Sequence, residues 1–146
     1  MEHLKGLNPS QKKMNLMPKY VIDSWAWVEY FDATIYGLKA KETIEKGDTF
    51  TSAITISELS SKFMKEGRDP EEMVNAVASL SKIIDIDTNV AKGIGKTHYE
   101  VRRTNSNFSL GDAAVLYTAK SLNAKVLTGD PDFEGIKDVE MLKKSK

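Results

Sequence analysis

Short apolar runs alternate along this chain with longer stretches in which apolar residues return at helical spacing. Lys19-Tyr-Val-Ile22 predicts a first strand, and Trp25, Val28 and Phe31 predict a helix directly after it. A second helix is expected over 36–46, stopped by Gly47. Residues 48–52 predict the second strand. Ile56, Leu59 and Phe63 predict a helix over 54–65, ended by Gly67. Asp69 as N-cap and Pro70 at the first helical position open another, with Met73, Val74, Val77 and Leu80 as its buried stripe. Ile83-Ile-Asp-Ile86 predicts the third strand, and Asp87 or Thr88 caps a helix over 89–104. Ser109 reads as the N-cap of the next helix, with Asp112 three residues on as a capping-box partner. That helix is apolar on nearly every face (Ala113, Ala114, Val115, Leu116, Tyr117, Ala119, Leu122) and should be packed deep. Val126-Leu127, bounded by Lys125 and by Gly129, Asp130 and Pro131, predicts a short buried strand, and a last strand falls near 139–142. Strand and helix alternate throughout. The fold class expected is α/β, a three-layer α/β/α sandwich around a mostly parallel sheet of four to five strands. Trp25 and Trp27 read as core residues rather than as a platform for stacking bases.

Composition narrows the chemistry. The 146 residues suffice for one domain with a real core, and no linker, repeat or low-complexity tract marks a second. Residues 17–146 are read as that single domain. The polar, lysine-containing stretch over 1–16 is expected to be a disordered extension, with Met14 and Met17 as alternative starts, and the tail over 143–146 to fray. Cysteine is absent, which excludes disulfides and thiolate metal sites, and only His3 and His98 carry imidazoles, which disfavours zinc. Basic and acidic residues balance at 21 each, so no global field draws in nucleic acid. RNA or DNA must engage a local patch or a metal. Lys92, Lys96, Arg102 and Arg103, on one markedly basic helix, are the candidate track for an RNA backbone, although a solvated helix face is the more ordinary reading of them. His98 is given no catalytic role. No apolar run is long enough to span a bilayer and no apolar leader is evident, so the expectation is a cytoplasmic protein without a membrane partner.

The acidic residues carry the functional argument. Asp23 follows the first strand, Glu58 lies in the helix after the second, Asp112 opens the helix before the fourth, and Asp130 follows the fourth. Each has a local reading. Asp23 can serve as a helix cap, Thr55-Ile-Ser-Glu58 and Ser109-Leu-Gly-Asp112 both fit capping-box spacing, and Asp130 can shape a turn before Pro131. A collective reading competes with these. With strand one central and strand four beside it, the carboxylates meet in the crevice outside the strand ends. Crowded carboxylates raise one another's pKa, and a divalent cation removes the conflict. Oxygen donors without imidazole or thiolate favour Mg²⁺ or Mn²⁺. Such a centre suits phosphodiester hydrolysis.

The stretches Tyr20-Val-Ile-Asp23-Ser24, Ile56-Ser-Glu58-Leu59, Ser109-Leu-Gly-Asp112-Ala-Ala-Val-Leu-Tyr-Thr-Ala119 and Val126-Leu-Thr-Gly-Asp130-Pro-Asp-Phe133 together resemble the PIN-domain nucleases, most closely their VapC toxin branch. The resemblance runs from about Met17 to the C-terminus and implies a Rossmann-like PIN fold and a Mg²⁺- or Mn²⁺-dependent endoribonuclease. It implies an acidic site of Asp23, Glu58, Asp112 and Asp130. Asp23 and Asp112 would be direct ligands, and Glu58 and Asp130 ligands or orienters of a bound water. Ser24 and Thr128 would support the site by hydrogen bonding, and Asp132 is a less certain fifth acid that also fits a turn cap. The resemblance further implies an RNA substrate, single-stranded or structured, a homodimer, and a protein antitoxin whose peptide fills the groove. The extension before Met17 departs from the usual pattern. Two other readings stay open: a PIN nuclease of RNA processing with no antitoxin, and a non-catalytic module that docks RNA or protein.

Overall fold

The computed structural model describes residues 18–142. The expected extension over 1–16 and the tail over 143–146 lie outside the described residues. The chain forms β1 (Lys19–Ile22), α1 (Ser24–Phe31), α2 (Ile35–Lys46), β2 (Asp48–Ser52), α3 (Ala53–Lys65), α4 (Pro70–Leu80), β3 (Lys82–Ile84), α5 (Thr88–Arg102), α6 (Leu110–Leu122), β4 (Lys125–Thr128), a 3₁₀ turn (Pro131–Phe133) and β5 (Val139–Met141). The five strands make one sheet in the order β3-β2-β1-β4-β5, with every neighbouring pair parallel. The mostly parallel sheet expected from the alternation is therefore wholly parallel.

The strand sequences explain why helices cover both faces. Adjacent residues of a strand point to opposite faces. Val21 and Val126 pack on one side with Phe108, Ala113, Val115, Leu116 and Phe133. Ile22 and Leu127 pack on the other with Trp27, Ile44, Leu59, Phe63 and Met73. A strand with apolar side chains on both faces must be covered twice, so the central pair β1 and β4 sits at the middle of three layers. α6, predicted to be packed deep, buries Ala113 through Leu116 on the first side.

Three local expectations change. β3 covers Lys82–Ile84 rather than 83–86, because its partner β2 ends at Ser52, opposite Ile84, and turns into a helix there. The helix after it spans Thr88–Arg102, and the cap is Asp87, whose side chain accepts from the Val90 backbone N–H at 2.9 Å. α3 begins at Ala53 with Ser52 as its N-cap, which puts Thr55 and Glu58 inside the helix. The capping-box reading of Thr55 and Glu58 is thereby removed.

Trp27 is fully buried and its indole N–H donates to Thr51 Oγ1 at 3.1 Å. Thr51 Oγ1 in turn lies 2.7 Å from Ser81 Oγ. This buried relay ties α1 to β2 and to the start of β3. Thr51→Val keeps the shape but strands the indole N–H and the Ser81 hydroxyl. It should cost about 1–3 kcal/mol, seen as a lower urea midpoint at unchanged slope.

Candidate metal centre

Four connections bring the acids to one end of the sheet. β1 and β4 pair in parallel, with Ile22 opposite Leu127, so the residues just past both strands emerge side by side. Asp23 is one and Asp130 the other. The Asp23 backbone N–H donates to the Leu127 carbonyl at 3.1 Å, which extends the pairing to the edge of the crevice. Although Asp23 occupies the N-cap position of α1, its side chain makes no capping bond. Its Oδ2 accepts instead from Thr128 Oγ1 at 2.7 Å. Thr128 Oγ1 also accepts from the Asp130 backbone N–H at 3.0 Å, so one hydroxyl fixes an acid on each side of it.

Asp112 enters from the N-terminus of α6. The capping box is real: Ser109 Oγ accepts from the Asp112 N–H, and Asp112 Oδ2 accepts from the Ser109 N–H, both at 3.0 Å. The box sets the side chain's direction while engaging one of its two oxygens. Glu58 comes from α3 and is hydrogen-bonded by Ser24. Its carboxylate lies close against α6 at Gly111, where a Cβ would sit 2.5 Å from Glu58 Oε2 and make that side chain shift. Asp130 accepts from the Asp132 N–H at 2.9 Å and shapes the 3₁₀ turn, as its local reading allowed. That turn delivers Asp132 as well. Asp112, Asp130 and Asp132 each offer a carboxylate oxygen, and these oxygens lie within 4.8 Å of one another. The acids that gather this closely among the described residues are thus Asp112, Asp130 and Asp132. The reason is that Asp130 and Asp132 share one turn, while Asp23 stands back against Thr128.

The electrostatics follow from that crowding. Burial raises the Asp23 carboxyl to about 7; the Thr128 hydroxyl opposes this, and the charges of Glu58, Asp112 and Asp130 add to it. Asp112 is raised by burial against the pull of its Ser109 hydrogen bonds, with Asp130 and Asp132 adding repulsion. Glu58 is raised by desolvation, countered by Ser24 and reinforced by Asp112 and Asp130, and Asp132 rises for like reasons beside Asp130. The ion pairs among the described residues join Lys41 to Glu45, Lys62 to Glu66, and Arg68 to Asp32 and Glu66, and leave all five acids out. An all-oxygen donor set held together against its own repulsion fits a hard divalent cation.

The remaining candidates fall elsewhere. Lys92, Lys96 and Arg103 are exposed at α5, and Arg102 Nη1 donates to the Phe108 carbonyl at 3.3 Å, which His98 Nε2 also meets at 3.1 Å. Arg102 and His98 thereby brace the loop into α6. None of the basic four lines the acidic cleft. That cleft, about 410 Å³, is lined by Trp25, Val28, Glu29, Leu59 and Lys62 together with Ser24, Glu58 and Asp130. Trp25, expected in the core with Trp27, is only half-buried and faces this cleft. The indole lies against Gly129, where a Cβ would sit 2.3 Å from Trp25 Cη2. Sequence reasoning missed the parts played by Gly111 and Gly129; their positions one residue before Asp112 and Asp130 were the available signal.

A family model described as PIN domain matches residues 20–139. Among curated protein sequences none matches. Solved structures share the fold. One is a toxin–antitoxin complex from Klebsiella pneumoniae, 22% identical over 86% of this chain and 99% of that one, with a TM-score of 0.69. Another is VapBC2 from Rickettsia felis bound to a DNA fragment from their promoter, 17% identical over 84% and 98% of the two chains, TM-score 0.65. A third is VapC20 from Mycobacterium tuberculosis, described as a Sarcin-Ricin loop cleaving toxin, 14% identical over 84% and 98%, TM-score 0.65.

The raised carboxyls set a pH dependence for the metal-free protein. The fold binds a proton at Asp23 that the unfolded chain releases near its ordinary value of 3.8. Stability from this group is therefore greatest below about 4 and falls as pH rises to about 7. In EDTA, thermal melting should be higher at pH 5 than at pH 8. Asp23→Asn should flatten most of that slope and melt higher than the parent at pH 8, a gain bounded on the order of 4 kcal/mol. A parent that melts higher at pH 8 than at pH 5 without metal contradicts the buried, crowded carboxyl.

Proposed function

The chain belongs to the PIN domain family, and from that premise we propose that it is a divalent-metal-dependent endoribonuclease, the toxin of a VapBC-type pair. The observation that carries the reading is the convergence of Asp23, Glu58, Asp112, Asp130 and Asp132 at the ends of β1 and β4, with none of the described ion pairs to balance them. The cation would be Mg²⁺ or Mn²⁺, held by Asp112, Asp130 and Asp132 with Asp23 and Glu58 beside them. When bound it supplies a Lewis acid for the phosphodiester and lowers the pKa of an attacking water. The chain's own residues do the rest. Thr128 and Ser24 hold Asp23 and Glu58 in place, the Ser109 box aims Asp112, and the Asp130 turn presents Asp132. Charged carboxylates are the ligating forms, so protons compete with the metal for the raised carboxyls, and metal affinity and activity should both fall as the pH is lowered.

The substrate class is RNA, acted on in the cytoplasm. The structural neighbours that are toxin–antitoxin complexes support a protein antitoxin as partner. Exposed apolar side chains, Ile35 and Leu38 on α2 and Leu110 on α6, are surfaces that an antitoxin or a second copy in a homodimer would cover.

The test compares the parent with Asp112→Asn on single-stranded RNA, in Mn²⁺ and in EDTA. The parent should cleave only with metal, and the variant should be slower by at least about a hundredfold while keeping its circular dichroism spectrum. Equal rates for the two proteins remove Asp112 from the chemistry.

A further inference from the structure

The cleft beside the acids is lined differently from the acidic group itself. It opens between α1 and α3, and Glu58 and Asp130 form the end it shares with the metal centre. Its other lining is of a different character. Trp25 supplies a partly buried indole that is held in place, with Gly129 against one part of the ring and Tyr36 at 5.7 Å between centroids. Val28 and Leu59 add apolar wall. Glu29 lines the cleft with a carboxylate positioned by the Thr34 hydroxyl, which donates to Oε1 at 2.9 Å. Lys62 is the one cation among the lining residues, and it stands at the surface in a pair with Glu66 at 3.1 Å.

This lining sorts possible ligands. A phosphate inside the cleft would face Glu29, Glu58 and Asp130, three carboxylates against one amine. A neutral heterocycle meets no such penalty. It can stack on an indole, and an exocyclic amino group on its edge can donate to a carboxylate such as Glu29. The volume of about 410 Å³ is of a size that takes a small ligand. Lys62, at the rim, is suited to the phosphate that follows the base.

We propose that this cleft is a nucleobase subsite: one unpaired base of the strand being cut stacks on Trp25, adjacent to the scissile phosphate, with its amino edge toward Glu29 and a flanking phosphate on Lys62. The assignment rests on the ribonuclease reading for the identity of the strand. It makes the enzyme selective for a single-stranded position and for amino-bearing bases over uracil at that position.

The test uses the full chain carrying Asp112→Asn, so that binding is read without cleavage. The probes are short single-stranded RNAs with 2-aminopurine placed at each position in turn. Emission should be quenched strongly at one position. Adding Trp25→Leu should abolish that quenching and weaken RNA binding by about five- to hundredfold. Trp25→Phe should retain most of both, which separates stacking from a general loss of fold. Lys62→Ala should leave the quenching in place and lower the salt dependence of binding by about one counterion. Quenching at no position, or quenching unchanged in Trp25→Leu, overturns the subsite. The two readings fail separately. Metal-dependent cleavage by the parent without position-specific quenching leaves the nuclease and removes the subsite. Position-specific quenching by a parent that cuts no strand leaves a base-binding cleft and removes the nuclease.

Discussion

Electrostatic repulsion among carboxylates that the fold forces together is the constraint from which the rest of this molecule follows. Nothing in a metal-free protein favours placing Asp23 in full burial beside Glu58, Asp112 and Asp130, and its carboxyl rises to about 7 as a result. Such an arrangement persists only because the surrounding sheet and helices over-determine it. β1 and β4 are locked by parallel pairing, and both pack apolar side chains into a fitted core on each face, so a one-residue slip would send every side chain into the packing of the opposite layer. The acids ride on the ends of these strands and inherit their rigidity.

The hydrogen-bonding around the acids divides the work. Thr128 fixes Asp23 through its hydroxyl and Asp130 through that residue's backbone N–H, and Ser109 fixes Asp112 through a reciprocal pair. These bonds favour the charged forms and oppose the desolvation that favours the neutral ones. They do not cancel it, and the net carboxyl pKa stays raised at Asp23, Glu58, Asp112 and Asp132. The site is therefore strained in one definite sense: it is short of positive charge. A hard dication, as proposed above, would supply that charge, in exchange for the local stability given up to pre-organise the acids.

Much of this was legible along the chain. The alternation of strand and helix, the caps at Asp69 and Ser109, the burial of α6 and the parallel character of the sheet all follow from spacing and from the preferences of single residues. Those are local causes, and local causes leave marks in a one-dimensional string. The four motif acids were also visible as candidates, each at the edge of a predicted element. Their competing roles as caps were not separable from sequence. Asp23 does not cap and Glu58 lies within its helix, whereas Asp112 and Asp130 do cap and still join the acidic group.

The sequence by itself determined which residues could be strands, which faces had to be covered, and that oxygen donors alone were on offer. Tertiary structure decided which of those donors meet. It joined Asp132 to the close group, set Asp23 back against Thr128, brought Glu58 against α6 at Gly111, and left Trp25 lining the cleft while burying Trp27. Each of these depends on the distance between residues far apart in the chain. Pairing of β1 with β4 brings together positions more than a hundred residues apart, as the Thr128–Asp23 bond shows, and no local pattern encodes how closely two such elements approach.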